Sequence, residues 1–172
     1  MSKPTRTSPS RLASLLAPEM IKLNLCATDK TAALWEVAGL LAQHRSVHNF
    51  EAFFQEILER ERVSNTALGH DVAIPHARTD QCAEILVAVG RSHEGVDFET
   101  KDGQLVHLIF LIGTPKQMVT DYLRVVGNLA RLLRQDDIRR RLLEAPDSAS
   151  FIKVIDQAED QPDLFVNRIA FR

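Results

Sequence analysis

Apolar positions along this chain recur at two spacings, one typical of helices and the other typical of strands. Steps of three and four residues over about 30–44, 49–60 and 119–133 predict helices, because such steps place side chains on one helix face. Continuous apolar runs over 84–91 and 106–113 predict two strands that are buried on both faces. These five segments form most of the predicted core.

Shorter signals fill the gaps between these segments. Strict alternation over 21–26 predicts a half-exposed strand at a sheet edge, and Asp29 is suited to cap the helix that follows. The pair Asp102 and Gly103 predicts a hairpin turn between the two long strands. Short helices are also predicted over 10–16, over 138–143 and through 151–155, the last one capped by Asp147 or Ser148.

The predicted helices and strands are interleaved, and the hairpin adds an antiparallel pair to them. This order favours an α/β fold in which a mixed sheet is flanked by helices on both faces. We expect one domain over 10–158. The polar, proline-containing segment 1–9 is expected to be a disordered leader, and the apolar tail 159–172 either packs on the domain or contacts a partner.

Composition excludes some classes of partner. The 172 residues are 45% hydrophobic and 26% charged with a formal net charge of −2, which gives no overall attraction to nucleic acid or to anionic membranes. Cys26 and Cys82 lie far apart and are interpreted as buried free thiols of a reducing cytosol. No apolar run is long enough for a signal peptide or a membrane span, so we expect a cytoplasmic protein without membrane insertion.

The stretch 69–78 contains the main candidate for chemistry. The short run 72–75 predicts a buried strand that stops at Pro75, because proline cannot donate to a ladder, and His76 follows at its tip. Proline also stiffens the backbone, so the His76 side chain is aimed reproducibly, as a nucleophile requires. A hydrogen-bonded structural histidine that closes the strand is the alternative, and the local pattern leaves both open.

Other chemistries have weaker signals in the sequence. His44 and His48 are four residues apart, but a predicted break between two helices separates them, and the chain has neither an HExxH motif nor a cysteine pair for zinc. GxSxG and a glycine-rich phosphate loop are also absent. Neutral imidazole as a nucleophile in phosphoryl transfer remains, with Arg60, Arg62 and Arg78 as candidates to face the phosphoryl oxygens.

The run 60–78, which contains Ala-Ile-Pro-His-Ala-Arg at its end, supports this chemistry by a resemblance. Together with 93–98, 102–110 and 123–133, it resembles the IIA component of the fructose/mannitol class of the phosphoenolpyruvate-dependent phosphotransferase system. The nitrogen-regulatory branch of that class is most similar in length and standalone form, and the resemblance runs from about Leu12 to Ile155. It implies a mixed sheet flanked by helices. We expect neither a metal nor a cofactor.

The resemblance also assigns roles to residues. It implies that His76 accepts phosphate through Nε2 from HPr, a small phosphocarrier protein, or from its nitrogen-branch relative. It implies that Arg60 steadies the phosphoryl group, and Thr66 and Tyr122 are expected to help hold it. We expect a regulatory output, since no transporter or sugar-binding domain is attached; the sequence does not identify the regulated targets.

The chain departs from the family pattern around this site. The family often has Ser-Thr-Gly-x-Gly-x-Gly before the strand, whereas Asn65-Thr-Ala-Leu-Gly-His-Asp71 keeps only the threonine and one glycine, and Asp71 adds a negative charge. Tyr122 stands where the family commonly has a second histidine; a phenol can donate a hydrogen bond but supplies no positive charge. His70 or His107 is a possible substitute. The alternative function is therefore a binding module of the same fold that is poorly phosphorylated or not phosphorylated, an alternative that Ala67 and the apolar tail also favour.

Overall fold

A six-stranded mixed sheet with helices on both faces is seen in a computed structural model that describes residues 11–161. The predicted α/β fold is confirmed. The strands are β1 (Ile21–Lys22), β2 (Ala67–Gly69), β3 (Val72–Ala73), β4 (His76–Thr79), β5 (Leu86–Val96) and β6 (Val106–Pro115). The helices are α1 (Lys30–Ala38), α2 (Phe50–Val63), α3 (Val119–Leu133), α4 (Asp136–Glu144) and α5 (Ser148–Glu159).

Strand β6 organises the sheet. The order is β1-β5-β6-β3-β2, and β4 also pairs with β6. Strands β5 and β6 form the predicted antiparallel hairpin, with Val96 opposite Val106 next to the turn. Both β3 and β4 run parallel to β6, with Val72 opposite Leu108 and His76 opposite Ile112. The two short strands therefore lie end to end along one edge of β6.

The first half of β5 (86–90) and the middle of β6 (108–113) are continuously apolar because both faces of the sheet are covered there. Leu108, Phe110 and Ile112 of β6 pack in a core with α3, α4 and α5. Ile109 and Leu111 face the other way, into a core built with α1 and α2. Alternate residues of a strand point to opposite faces, so in a strand that lies between two helical layers the residues on both faces are buried and apolar.

Two glycines let α1 and α2 approach the sheet closely. A Cβ added at Gly113 would lie 2.8 Å from the Phe53 ring and 2.9 Å from the Cys82 sulfur. A Cβ at Gly90 would lie 2.5 Å from a methyl group of Val37. Contacts this short are not tolerated between real atoms, so the helix packing depends on the absence of both side chains.

Side-chain caps fix the starts of three helices. Asp29 accepts a hydrogen bond from the Ala32 amide at 2.9 Å, as predicted for the first residue before α1. Asp147 accepts one from the Ser150 amide at 2.7 Å, so Asp147 rather than Ser148 caps α5. The remaining cap is Asn49 at the start of α2.

Several predicted bounds were wrong. The edge strand expected over 21–26 ends at Lys22. The Leu25 amide still donates to the Arg91 carbonyl oxygen of β5, whereas the Cys26 and Ala27 amides bind the Glu36 carboxylate. Helix α1 ends at Ala38 rather than near residue 44 and continues as the 3-10 turn Gly39–Leu41. The helix expected over 10–16 is the 3-10 turn Ala13–Leu15, whereas α2 runs three residues beyond the predicted 49–60, to Val63.

Two further differences concern the N-terminal and C-terminal segments and the cysteines. The leader 1–9 and most of the tail 159–172 fall outside the described residues, so those predictions stay untested. Both cysteines are free, but only Cys82 is buried, and Cys26 is exposed at the surface. The expectation that both thiols are buried was therefore wrong for Cys26.

Candidate functional site

Pairing with β6 on both sides of Pro75 determines the position of His76. The sequence predicted that the strand would stop at Pro75, but β4 begins at His76 itself and runs to Thr79. Pro75 lacks an amide proton, yet its carbonyl accepts from the Ile112 amide at 2.9 Å, so contact with β6 is not interrupted. The backbone of His76 is therefore part of the sheet rather than of a loop.

One hydrogen bond defines the tautomer of the His76 ring. Nδ1 lies 2.8 Å from the carbonyl oxygen of Ile74. A carbonyl oxygen can only accept, so Nδ1 carries the proton and donates it. The neutral ring consequently keeps a lone pair on Nε2, the nitrogen available to a reaction partner.

The surroundings favour the neutral form of His76. Burial lowers the pKa of His76 below its ordinary value, and the positive charge of Arg60 lowers it further. The hydrogen bond to Ile74 and the negative charge of Glu61 act in the opposite direction but do not prevail. Neutral imidazole, the nucleophilic form, is thus the state of His76 near pH 7.

The three candidate arginines occupy different positions. Arg60 lies in the last turn of α2, and its Nη1 donates to the carbonyl oxygen of Ser64 at 3.1 Å. Arg62 is exposed two residues later in the same helix, about 200° further around its axis, so the two side chains leave in nearly opposite directions. Arg78 is exposed on the same face of β4 as His76, because residues two apart in a strand share a face.

Tyr122 approaches His76 from the first turn of α3. The centroids of the two rings are 5.5 Å apart, and their planes are inclined by 52°. The structure therefore brings together His76 and Tyr122, which are 46 positions apart in the sequence, with Arg60 close enough to influence the imidazole.

Thr66 does not fit the direct role predicted for it. The residue is buried, its hydroxyl donates to Oε2 of Glu61 at 2.6 Å, and its amide donates to Oε1 of the same carboxylate at 2.9 Å. The hydroxyl proton is therefore already used within the protein. In this structure the polar groups of Thr66 that face α2 are bonded to Glu61.

The two histidines considered as substitutes lie elsewhere. His70 is exposed, and it forms with Asp71 the turn between β2 and β3, where both residues have positive φ. His107 contacts the Asp71 carboxylate through Nδ1 at 3.1 Å. His76 pairs with Ile112 of β6, and His107 lies five residues before Ile112, which is about 16 Å at the spacing of residues in a strand. Neither histidine therefore takes the place of the second histidine that the family commonly has. The Asp71 charge is likewise turned toward His107.

Sequence reasoning missed Glu61 altogether. It is almost fully buried, forms an ion pair with Lys30 at 2.8 Å and holds the Thr66 backbone. Its position offered a signal: it follows Phe53 and Ile57 at four-residue steps, which places a carboxylate on the buried stripe of α2. A buried carboxylate requires partners, so the stripe itself predicts a polar network.

Other sites considered from the sequence are not formed by residues 11–161. No group of three or more His, Cys, Asp or Glu side chains in this range could hold a metal ion. Burial raises the pKa of the Cys82 thiol to about 12, so this sulfur is not a nucleophile near neutral pH. Within the same range, no helix combines the length and apolar character needed to cross a membrane.

The chain is similar to several known proteins. The family "Phosphoenolpyruvate-dependent sugar phosphotransferase system, EIIA 2" matches residues 14–158. A nitrogen regulatory protein of Bradyrhizobium diazoefficiens is 35% identical over 144 residues, which cover 84% of this chain and 94% of that protein. A fructose-specific EIIABC component of Bacillus subtilis is also 35% identical over 147 residues, but the 86% of this chain that aligns spans only 23% of that protein.

A solved structure shows the same fold. The nitrogen regulatory protein IIA-Ntr of Neisseria meningitidis superposes with a TM-score of 0.78 and 28% identity. The superposition covers 83% of this chain and 97% of the Neisseria chain. The mixed sheet and its two helical layers are thus shared over nearly the whole length of that protein.

Proposed function

Because this chain belongs to the EIIA 2 family of the phosphoenolpyruvate-dependent sugar phosphotransferase system, we propose that it is a phosphorelay protein whose His76 accepts a phosphoryl group. The observation that carries this proposal is the hydrogen bond from Nδ1 of His76 to the Ile74 carbonyl. It leaves Nε2 with a lone pair on a partly buried ring whose lowered pKa keeps it neutral. The proposed donor is an HPr-type phosphocarrier that bears phosphohistidine.

The transfer needs no general base. The lone pair of Nε2 forms the new nitrogen–phosphorus bond while the corresponding bond in the donor breaks, and that electron pair stays on the donor imidazole. The proton on Nδ1 of His76 remains in its hydrogen bond to Ile74 throughout. Catalysis then consists of alignment and of balancing the charge on the phosphoryl oxygens.

Arg60 and Tyr122 are the proposed partners of these oxygens. Arg60 brings a permanent positive charge close enough to influence the imidazole, and a guanidinium can bind two phosphoryl oxygens at once. The Tyr122 ring lies beside the His76 ring and carries a hydroxyl that can donate one hydrogen bond. Thr66 contributes indirectly, because its hydroxyl is bonded to Glu61.

We propose a regulatory output through protein contacts for this phosphorelay. The proposal is supported by the Bradyrhizobium relative, which is named a nitrogen regulatory protein and which this chain matches over nearly its full length. Sugar transport is the competing output, since the equally similar Bacillus subtilis protein is named a fructose-specific EIIABC component. The cytoplasmic location expected from the sequence stays a prediction.

The test is phosphorylation from labelled phosphoenolpyruvate in the presence of enzyme I and an HPr-type carrier. The wild type should become labelled, and His76→Ala should remain unlabelled. His107→Ala is the matched control, since His107 is also a partly buried strand histidine with a bonded Nδ1 and should leave labelling unchanged. An unlabelled wild type, or full labelling of His76→Ala, contradicts the proposal.

Tyr122 favours a second candidate function, a binding module that is poorly phosphorylated. The ring next to His76 supplies no positive charge, so the phosphorylated state has less stabilisation than two cations would give. In that case the wild type remains unlabelled in the assay above, and His76→Ala binds partner proteins as tightly as the wild type does.

A further inference from the structure

We propose that Glu61 and Lys30 form a buried positioning pair that sets the orientation and tautomer of the His76 ring. The proposal deepens the function given above and rests on it for the role of His76. Neither residue touches the reacting nitrogen. Both act through a continuous series of hydrogen bonds that ends at the imidazole.

The first part of this series is the ion pair itself. Nζ of Lys30 lies 2.8 Å from Oε1 of Glu61, and the two side chains are only 12% and 4% exposed. The Lys30 ammonium also lies 4.9 Å above the centroid of the Phe98 ring. The carboxylate is thus held in one place by a cation that is itself fixed from a second side.

The carboxylate then holds Thr66 at two points. Oε1 accepts from the Thr66 amide at 2.9 Å, and Oε2 accepts from the Thr66 hydroxyl at 2.6 Å. Charge-assisted bonds of this kind are stronger than neutral ones and strongly directional. They fix the backbone of the segment that joins α2 to β2.

Thr66 passes this constraint to the strand that leads to His76. Its carbonyl oxygen accepts from the Ile74 amide at 3.1 Å, and the Ile74 carbonyl oxygen accepts from Nδ1 of His76 at 2.8 Å. A displacement of Thr66 therefore moves Ile74, whose carbonyl oxygen is the only acceptor that Nδ1 contacts within residues 11–161. The tautomer of His76 depends on that acceptor staying in place.

A second ion pair in the same molecule provides a matched control. Lys22 binds Glu36 at 2.7 Å, and Glu36 accepts from the Cys26 amide at 3.0 Å and from the Ala27 amide at 2.9 Å. This pair has the same chemistry, a lysine, a glutamate and a stretch of loop backbone. It lies between β1 and α1, at the edge of the sheet opposite β2.

The experiment compares double variants in which neither partner is left buried with an unpaired charge. Lys30→Met with Glu61→Leu removes the ion pair and both bonds to Thr66. Lys30→Met with Glu61→Gln removes both charges. The side chain of the new glutamine can still accept from the backbone N–H of Thr66 and can still hydrogen-bond to the Thr66 hydroxyl. Lys22→Met with Glu36→Leu is the control, and the two readouts are the ¹⁵N chemical shifts of the His76 ring and the phosphorylation rate.

The Glu61→Leu double variant should lose the single Nδ1-protonated tautomer, so that the two ring nitrogen shifts converge, and its phosphorylation should slow about tenfold. The Glu61→Gln double variant should keep the wild-type tautomer, and the control should match the wild type in both readouts. A folded Glu61→Leu double variant with wild-type nitrogen shifts overturns the proposal.

Two other outcomes are also decisive. If the Glu61→Leu double variant does not fold, Thr66→Val removes only the hydroxyl bond to Glu61 and should shift the ring nitrogens in the same direction by a smaller amount; unchanged shifts there contradict the proposal. If the wild type is never phosphorylated, the proposed function fails, while the nitrogen shifts still decide whether Glu61 and Lys30 position His76.

Discussion

The Nδ1 atom of His76 donates to the carbonyl oxygen of Ile74, two residues earlier in the chain. The residue between them is Pro75, which has no backbone N–H to donate. This contact joins the end of one short strand to the start of the next and leaves Nε2 facing away from the backbone. The orientation of the ring is therefore a property of the sheet, and it does not depend on a bound partner.

Acid should destabilise the fold through His76. Because burial lowers the pKa of His76 in the folded protein below its value of about 6.5 in the unfolded chain, the unfolded chain takes up the proton first. The free energy of unfolding should fall as the pH drops through 6.5 and stop falling below the lowered pKa. Urea unfolding of the wild type and of His76→Gln at pH 7.5, 6.5 and 5.5 isolates this contribution, since the other histidines are common to both. The wild type should lose more stability on acidification, and equal losses contradict the explanation.

Replacing Arg60 should affect both the reaction and the imidazole. Arg60→Gln removes a positive charge that lowers the pKa of His76, so that pKa should rise, and phosphorylation should slow by about a hundredfold, as for loss of one transition-state donor. Arg60→Lys keeps the positive charge, so its phosphorylation rate should fall less than that of Arg60→Gln. The measurements are an NMR titration of His76 and the initial rate of labelling. Arg62→Gln serves as the control, because Arg62 is exposed on another side of α2, and an equal loss in that variant would argue against a specific role for Arg60.

A histidine at position 122 should improve phosphorylation. Tyr122→His brings an ionisable cation beside His76, and a charge-assisted bond to a phosphoryl oxygen should raise the rate about tenfold at pH 6.5. Tyr122→Phe removes the hydroxyl that is proposed to donate to a phosphoryl oxygen and should lower the rate. Labelling kinetics of both variants test this. Leu123→His introduces the same group on the exposed neighbouring residue, and a similar gain in that variant contradicts the assignment of Tyr122 to the site.

The close packing of α2 on the sheet should make Gly113 intolerant of a side chain. Gly113→Ala places a methyl group within 2.9 Å of both Phe53 and Cys82 and should lower the free energy of unfolding by about 1–3 kcal/mol. Gly127→Ala is the matched control, since a Cβ there meets nothing within 4 Å, and alanine should stabilise the α3 interior by about 0.5–1 kcal/mol. Urea unfolding measures both changes, and equal effects of the two substitutions would contradict this packing.

The sequence was most informative for elements whose own pattern of apolar and polar residues is sufficient to predict them. Helix α3 spans Val119–Leu133, as the three- and four-residue steps predicted, because its buried and exposed sides are distinct. The apolar runs also located β6 and the first half of β5, but β5 continues five residues beyond the predicted 84–91, to Val96. In α3, β6 and the first half of β5 the pattern of side chains was sufficient to predict the element.

Prediction failed where the structure depends on contacts between distant residues. Strand β4 has no apolar pattern, since His76 and Arg78 alternate with small buried residues, and it forms only because β6 lies alongside. The family pattern led to the prediction that Thr66 helps to hold the phosphoryl group, but it did not reveal that the Thr66 hydroxyl binds Glu61, five residues earlier in α2. The local pattern made His76 a candidate and left three arginines open, and only the family resemblance selected Arg60 among them, because a resemblance carries information on such contacts indirectly.

The most direct test of the account is the position of the phosphoryl group on the ring. The protein phosphorylated through an HPr-type carrier should give a ³¹P and ¹⁵N NMR signature of phosphate on Nε2 of His76, with Nδ1 still protonated and bonded to Ile74. Phosphate on Nδ1 of His76, or on any other residue, would contradict it.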